Sequence, residues 1–217
     1  MINFLLTIPV AYILGSIPSG LLIVKAISGE DVRHIESGRT GGTNAMRAAG
    51  PFAGLLTALL DILKGAGAVW IGQILAPSPD WLTAINGLVA IVGHNYSVFL
   101  IEKRTDGKLK FRGGAGGATT LGVSIGLWLN SWMIILPIAG LIYLLVGYAS
   151  LTTISIALSS LGIFTVKAFK GSTPWAFVFF GFAALITVVI ALRPNIQRLL
   201  AGTERRVNLI KRIFKKI

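Results

Sequence analysis

Residues 113–166 read GGAGGATTLGVSIGLWLNSWMIILPIAGLIYLLVGYASLTTISIALSSLGIFTV, a run that contains no Asp, Glu, Lys, Arg or His. A bilayer span needs about 20 apolar residues, so this run has room for two to three membrane-spanning helices. The rest of the chain is similar, since 54% of its 217 residues are hydrophobic and 13% are charged. Soluble domains carry roughly 25% charged residues. We therefore predict an all-α, polytopic membrane protein in which residues 1–217 form a single domain.

The net charge of +12 would also suit a nucleic-acid-binding protein. However, the positive residues lie at the ends of apolar segments, where they act as topology signals and contact anionic lipid headgroups. We therefore expect membrane lipid, and no nucleic acid, as a partner. The chain has no cysteine and only two histidines. Since its carboxylates do not have the spacing of metal ligands, we expect neither a metal nor a cofactor.

Three segments concentrate the basic residues: 25–50, 102–112 and the tail 193–217. Basic loops stay in the cytoplasm, so the number of spans between two such segments must be even. Two spans fit in 51–101, separated by a turn at 76–80, and four fit in 113–192, with turns near 130–131, 147–150 and 167–174. The apolar N-terminus lacks a cleavage site, and we interpret it as a retained first span from Ile2 to Ile27. The prediction is about seven transmembrane helices in the cell inner (plasma) membrane, with the N-terminus outside and the C-terminus cytoplasmic. From Lys211 onward, the tail is expected to lie on anionic lipid.

The first basic segment contains the stretch ESGRTGGTNAMR at residues 36–47. Its glycines can present several backbone N–H groups to one anion, and Arg39 and Arg47 add forked positive charges suited to phosphate. Side-chain donors come from Ser37, Thr43 and Asn44. A polar connector with helix-capping residues has the same composition, so both interpretations stay open.

Two further features suggest that the spans are not simple hydrophobic helices. Pro18 interrupts the small-residue stretch 15–20 of the first span, and such a break requires protein or a polar cavity to cover the freed carbonyls. In the second span, Asp61 and Lys64 are three residues apart on one helical face. Charges inside a span are costly and usually face a cavity or a partner, so these two form either a functional pair or a structural ion pair.

The third span is predicted from about Trp81 to Ile101, with His94 in its last part, and a glycine run, Gly113–Gly117, begins the fourth. A histidine there is either a structural hydrogen bonder or part of a site. A glycine run at a helix N-terminus suits an anion, because free N–H groups and the helix dipole both favour negative charge, although a hinge would look the same. The predicted topology places 36–47, His94 and the glycine run on one face of the membrane. Together they suit phosphate chemistry that depends on positioning and charge neutralisation.

Six short motifs, in order along the chain, resemble those of the bacterial acyl-phosphate:glycerol-3-phosphate acyltransferases (PlsY-type). They are Gly15–Gly20, the first loop with Ser37-Gly38, Gly41, Thr43-Asn44 and Arg47, the Asp61–Gly65 segment, Gly93-His94 with Val98-Phe99, Gly113–Thr119, and Arg193–Glu204 with Asn195. The chain departs from the family pattern at several positions. Arg39 stands where the family has asparagine, and Ala115 where it has the lysine of G-G-K-G. Ser97 replaces a proline, and residues 101–110 include an insertion.

The resemblance implies transfer of a fatty acyl group from acyl-phosphate to the 1-hydroxyl of glycerol 3-phosphate, giving lysophosphatidic acid for phospholipid synthesis on the cytoplasmic face. It implies His94 and Ser37 as catalytic residues. At matching positions it implies that Ser37, Thr43, Asn44 and Arg47 bind phosphate, with Lys64 and Asn195 as supporting polar groups. To these we add, from the residues themselves, Arg39 and the glycine run with Gly113, Gly114 and Gly116 as substrate- and phosphate-binding residues. Two alternatives remain: a relative that uses a different phosphorylated acceptor, and a non-catalytic homologue or transporter that keeps the fold. Few charges lie inside the spans, which argues against an ion pathway.

Overall fold

The protein is described by a computed structural model that covers residues 2–75, 79–103 and 105–207, with the backbone alone for residues 2–5. Most of the predicted turn at 76–80, Arg104 of the second basic segment and the tail from residue 208 lie outside the described residues. The helices are α1 (Ile2–Ser16), α2 (Ser19–Ser28), α3 (Gly42–Leu75), α4 (Asp80–Asn95), α5 (Gly117–Leu127), α6 (Trp132–Leu141), α7 (Ala149–Phe169), α8 (Trp175–Ala191) and α9 (Arg193–Leu200). Short 3₁₀ turns lie at Val32–His34 and Leu129–Ser131, a π-helical turn lies at Ile142–Val146, and the strands are β1 (Ser97–Lys103) and β2 (Leu109–Arg112).

The described helices confirm a multi-pass membrane architecture. Four helical stretches are long and apolar enough to cross a bilayer, namely Leu6–Ser28, Gly42–Leu75, Leu129–Val146 and Ala149–Phe169. A fifth is counted if α8 and α9, which meet at a bend of 64°, form one span. α4 has 16 residues and α5 has 11. At about 1.5 Å per residue both are shorter than a hydrocarbon core of about 30 Å, so the seven-span count and the orientation of the termini stay predictions.

The predicted chain reversals in the second half agree with the structure. Helices α5 to α8 occupy residues 117–191, and they are separated near residues 130–131, 147–148 and 170–174. The core between them is built around Phe164, whose ring meets Phe177 and Phe180 edge to face at 5.6 and 6.2 Å between centroids. These are favourable aromatic geometries and they fix α7 against α8.

The first span is broken, and its free carbonyls are covered as expected. α1 ends at Ser16 and α2 begins at Ser19, with Pro18 between them. The Ser97 hydroxyl donates to the Ser16 carbonyl at 2.6 Å, and Lys64 Nζ donates to the Ile17 carbonyl at 2.8 Å. Both carbonyl oxygens at the break therefore have hydrogen-bond donors, and no buried backbone acceptor is left unpaired at these two positions.

Glycines bring α3 and α5 into close contact. A Cβ at Gly65 of α3 would clash with the Thr119 carbonyl, and a Cβ at Gly122 of α5 would clash with the Ile62 carbonyl. Small residues allow such close backbone approach between helices in a membrane. This contact fixes the start of α5 beside the middle of α3.

The all-α prediction is wrong for residues 97–112, which form an antiparallel hairpin of β1 and β2. The third span therefore ends at Asn95 instead of the expected Ile101. A tertiary contact holds the hairpin: Glu102 accepts hydrogen bonds from Arg112 of β2 and from Arg33 of the first loop. The sequence did carry one hairpin signal, because an Asp-Gly pair at 106–107 lies between the apolar run 98–101 and the alternating segment 108–112, and Gly107 adopts φ 79°.

Several contacts place the polar segments at one end of the helix bundle. The Thr40 N–H donates to the Gly113 carbonyl at 3.3 Å, which joins the first loop to the glycine run. Arg205 forms an ion pair with Glu36, which joins the segment after α9 to the first loop. These segments therefore lie together in the bundle, and their common membrane face stays a prediction.

Candidate functional site

A cavity of about 510 Å³ lies at this end of the bundle, between α3, α5, α6 and α7. Its lining is of two kinds. The polar end is lined by Ser37, Arg39, Thr43, Asn44, Arg47 and Asn195. The apolar arm is lined by Ile62, Leu121 and Ile156, which pack in one cluster, and by the exposed Leu55 and Leu136. The cavity can thus accept a molecule with an anionic head and a hydrocarbon tail.

Most of the residues predicted from the sequence line this cavity, although they come from four separate segments. The structure brings together the six polar residues above with His94 and Gly116. Lys64, Gly113 and Gly114 do not line it. The N-terminus of α5 meets the cavity at Gly116 and Gly117, where a helix presents unpaired N–H groups and a favourable dipole.

Asn44 organises the first loop. Its side chain is 3% exposed, and its amide Nδ2 donates to the carbonyls of Val32, Ile35 and Arg39 at 2.9 to 3.0 Å. These contacts use both amide hydrogens within the loop. A phosphate contact from Asn44 remains a prediction, and the role visible in the structure is to hold the loop around the cavity.

Arg39 joins three elements at the polar end. Its guanidinium donates to the Gly114 carbonyl at 3.1 Å, to the Asn195 side-chain oxygen at 3.1 Å and to the Ala191 carbonyl. Ala191 ends α8 at the bend before α9, so Arg39 covers a carbonyl near that break. Burial, together with the nearby charge of Arg198, lowers the pKa of Arg39, but an arginine stays protonated at neutral pH.

The acidic residues of the cavity are already paired. Asp61 Oδ1 lies 2.9 Å from Lys64 Nζ as an ion pair, and Glu204 accepts Arg198 at 2.9 Å and the Asn195 amide at 2.8 Å. Within the part of the chain that the structure describes, Arg39 and Arg47 form no ion pair with a carboxylate. Two arginines that are not ion-paired at the polar end give it the electrostatic character of an anion site.

His94 connects the cavity to the buried ion pair. It is 4% exposed, and its Nδ1 lies 3.6 Å from Asp61 Oδ1. The Gly114 N–H donates to the His94 carbonyl at 2.9 Å, and a Cβ at Gly114 would collide with the imidazole ring. Gly114 is thus required for close packing on His94, and its N–H is not free for an anion. The sequence had predicted an anion-binding role for this glycine; the geometry visible here is one of packing.

Lys64 is a structural partner in this geometry. Its Nζ caps the broken first span at Ile17 and pairs with Asp61, and its side chain is 7% exposed. Of the two interpretations of the pair, the structural one fits Lys64, whereas Asp61 also borders the cavity beside His94. A direct contact between Lys64 and a substrate stays a prediction.

Tyr143 and Glu204 are among the cavity residues that were not singled out as site residues from the sequence. Tyr143 lies in the π-helical turn after α6, near the Thr43 side chain. Glu204 was quoted only within a motif, yet it is the acceptor that orients Asn195. Tyrosines are common in apolar spans, so no sequence feature distinguishes Tyr143, and only its position in the fold shows that it lines the cavity. Among the described residues, no cluster of three or more His, Asp or Glu side chains could hold a metal ion.

Comparisons with known proteins agree with this geometry. The sequence profile of the family described as "Glycerol-3-phosphate acyltransferase" matches residues 5–202. The "Glycerol-3-phosphate acyltransferase 2" of Moorella thermoacetica is 38% identical over 206 residues, covering 94% of this chain and 97% of the relative. The crystal structure of PlsY (YgiH), an integral membrane glycerol 3-phosphate acyltransferase, in its glycerol 3-phosphate form, superposes with a TM-score of 0.82 at 31% identity, covering 97% of this chain and 98% of that one. Its lysophosphatidic acid form gives a TM-score of 0.79 at 30% identity, with the same coverage.

Proposed function

Since the chain belongs to the glycerol-3-phosphate acyltransferase family, we propose that it transfers a fatty acyl group from acyl-phosphate to the 1-hydroxyl of glycerol 3-phosphate. The products are lysophosphatidic acid and inorganic phosphate. One observation carries the proposal. Arg39 and Arg47, which form no ion pair with a carboxylate among the described residues, border a cavity that continues into an apolar arm.

The cavity also favours acyl-phosphate over a coenzyme A thioester as the donor. In acyl-phosphate the phosphate is bonded directly to the acyl carbonyl, so the charged group and the start of the hydrocarbon chain are adjacent. Arg47 and Leu55 line the same cavity, so a single ligand there meets both a charged side chain and an apolar wall. In a coenzyme A thioester a long polar arm separates the phosphates from the acyl group, which would require the two regions to lie far apart.

The chemical step requires the alignment of two anions. The 1-hydroxyl oxygen of glycerol 3-phosphate attacks the acyl carbonyl carbon, and the bond from that carbon to the phosphate oxygen breaks. Inorganic phosphate leaves with the electron pair, and the hydroxyl proton passes to a phosphate oxygen of a substrate. Arg39 and Arg47 lower the repulsion between the two phosphates, and Ser37 and Thr43 donate hydrogen bonds to them. His94, held beside Asp61, positions the glycine run and the reacting groups.

We assign this site to the cytoplasmic face of the inner membrane because the basic segments cluster at the same end. The chain has no cysteine, so single cysteines can report the orientation. Lys108→Cys, in the exposed hairpin turn, should react with a membrane-impermeant maleimide only in inverted vesicles. Ser172→Cys, in the turn between α7 and α8, should react only in right-side-out vesicles. Labelling of both from the same side would contradict the seven-span arrangement.

The activity is tested with purified protein, palmitoyl phosphate and glycerol 3-phosphate, by measuring lysophosphatidic acid. Palmitoyl coenzyme A should give no product, and other polyol phosphates show whether the acceptor is glycerol 3-phosphate. Arg47→Ala should abolish turnover and Arg47→Lys should retain a small part of it, since a lysine keeps the charge but not the fork. Lys108→Ala is the matched control and should be neutral. Absence of product with palmitoyl phosphate would overturn the proposal, and full activity of Arg47→Ala would overturn the phosphate assignment.

A further inference from the structure

One face of α6 and the following π-helical turn forms a wall of the cavity. Leu136, Ala139, Gly140 and Tyr143 all line it, at the spacing that places residues on one side of a helix. Tyr143 lies near Thr43 and Arg47, two residues of the polar end, so the face leads away from that end along the helix. Leu136 lies seven residues earlier, or about 10 Å along the helix axis at 1.5 Å per residue.

Gly140 leaves an opening in this wall. A Cβ built on Gly140 meets no heavy atom within 4 Å, as is also true of Gly41 in the first loop, whereas Cβ atoms at the cavity glycines Gly42, Gly116 and Gly117 would press on neighbouring atoms. Gly140 is helical and is not among the residues with positive φ. Neither backbone conformation nor helix packing therefore calls for glycine at this position. What the missing side chain provides is space in the cavity, three residues or about 4.5 Å beyond Tyr143.

The neighbouring residues show what this space suits. Ala139 is 5% exposed and packs with Leu121, Ile135 and Ile156 in one apolar cluster. The space over Gly140 is therefore bordered by hydrocarbon and leads away from the arginines. A hydrocarbon chain that runs from a phosphate at Arg47 along this helix face toward Leu136 passes over Gly140.

We propose that Gly140 determines the acyl-chain length that the protein accepts, by leaving open the passage from the phosphate end to the apolar arm of the cavity. The inference rests on the proposed function, since the chain that crosses Gly140 is the acyl group of the donor and of the lysophosphatidic acid product. A larger side chain at residue 140 closes the passage without touching the phosphate site. Leucine also favours helix more than glycine does, so the substitution does not weaken α6.

The test measures binding of lysophosphatidic acid with 16-carbon and 8-carbon chains to wild type, Gly140→Ala and Gly140→Leu in nanodiscs of fixed lipid composition. Gly162→Leu is the matched control, because Gly162 also has open space at its Cβ, lies in the neighbouring α7 and does not line the cavity. Each methylene that no longer reaches the apolar arm should weaken binding about fourfold, the equivalent of about 0.8 kcal/mol. We expect the ratio of 16-carbon to 8-carbon affinity to fall at least about 15-fold in Gly140→Leu, less in Gly140→Ala, and not at all in Gly162→Leu.

Turnover with palmitoyl and octanoyl phosphate is measured on the same proteins, and the preference should change in parallel. An unchanged affinity ratio in Gly140→Leu, or a wild type that binds both chain lengths equally, would overturn the inference. An equal change in Gly162→Leu would overturn it as well. Because binding does not require catalysis, a wild type that binds with the expected chain-length preference but transfers no acyl group from palmitoyl phosphate would refute the proposed function and leave the inference standing.

Discussion

Replacing Arg39 by asparagine separates two roles that the structure combines in one side chain. The guanidinium ties the first loop to the carbonyls of Gly114 and Ala191, and it also brings a positive charge to the cavity. Asparagine is the residue that the related motif has at this position, so the change suits the local backbone. We expect Arg39→Asn to remain folded and to lose most of its turnover.

The size of the loss follows from Coulomb's law. A guanidinium about 4 Å from a phosphate contributes about 4 kcal/mol at an effective dielectric constant of 20. Because Arg39 is only half-buried, water reduces this, and about 2 kcal/mol is a lower figure. Since every 1.36 kcal/mol changes a rate tenfold, kcat/KM should fall between about 30-fold and 1000-fold. The melting temperature should fall as well, since the Ala191 carbonyl loses its donor.

A second substitution distinguishes the electrostatic role of Arg39 from its role in holding the first loop to the Gly114 and Ala191 carbonyls. Ala115 lines the same cavity, next to the carbonyl that Arg39 contacts, so the lysine of Arg39→Asn/Ala115→Lys can place a charge near the lost guanidinium. We expect this double variant to recover at least tenfold in kcat/KM for glycerol 3-phosphate while its melting temperature stays low. Ala115→Lys alone should be slightly impaired, because it crowds two positive charges.

Two results would refute this reasoning. If Arg39→Asn keeps its kcat/KM, the charge of Arg39 is not used by a substrate. The second result is that the double variant regains no kcat/KM, while the single variant Arg39→Lys keeps the wild-type turnover and melting temperature. Arg39 would then act only by holding the first loop at the bend between α8 and α9.

Three further substitutions test other parts of the site. Lys64→Met should destabilise the protein by about 3–5 kcal/mol, because it leaves Asp61 charged and buried without its partner. The Asp61→Leu/Lys64→Met double variant should lose less stability, and equal losses in thermal unfolding would argue against a coupled pair. Tyr143→Phe should raise the KM for acyl-phosphate several-fold, about 1 kcal/mol for one hydrogen bond, with an unchanged melting temperature, and an unchanged KM would show that the hydroxyl does not position the donor. Gly114→Ala should reduce both stability and kcat, because the added methyl group meets the imidazole of His94. Gly162→Ala is the control, because its Cβ has open space. Equal behaviour of the two variants in unfolding and turnover assays would contradict the packing role of Gly114.

Local patterns in the sequence predicted features that depend on local physics. The charge-free run 113–166 predicted several spans, and Pro18 predicted a break whose carbonyls need partners. The grouping of residues 36–47, His94 and the glycine run at one end of the bundle followed from counting basic residues. These inferences hold because hydrocarbon excludes charge and unpaired backbone groups wherever they occur along the chain.

The individual roles within the site were harder to predict, because they depend on partners that are distant in sequence. Lys64 was expected to support a substrate, but it caps the Ile17 carbonyl 47 residues earlier. Gly114 was expected to offer its N–H to an anion, but it packs on His94. Tyr143 carried no signal in its apolar surroundings, and the π-helical turn that places it in the cavity is a property of the folded helix.

From the sequence alone, composition and charge placement determined a helical membrane protein with one polar end, and the motif order determined the family that it resembles. Only the tertiary structure decided which charges are neutralised. Asp61 and Glu204 are paired, and Arg39 and Arg47 are left facing the cavity. The physical reason is that the energy of a charge depends on its neighbours within a few ångströms, and those neighbours are set by helix packing across the whole chain.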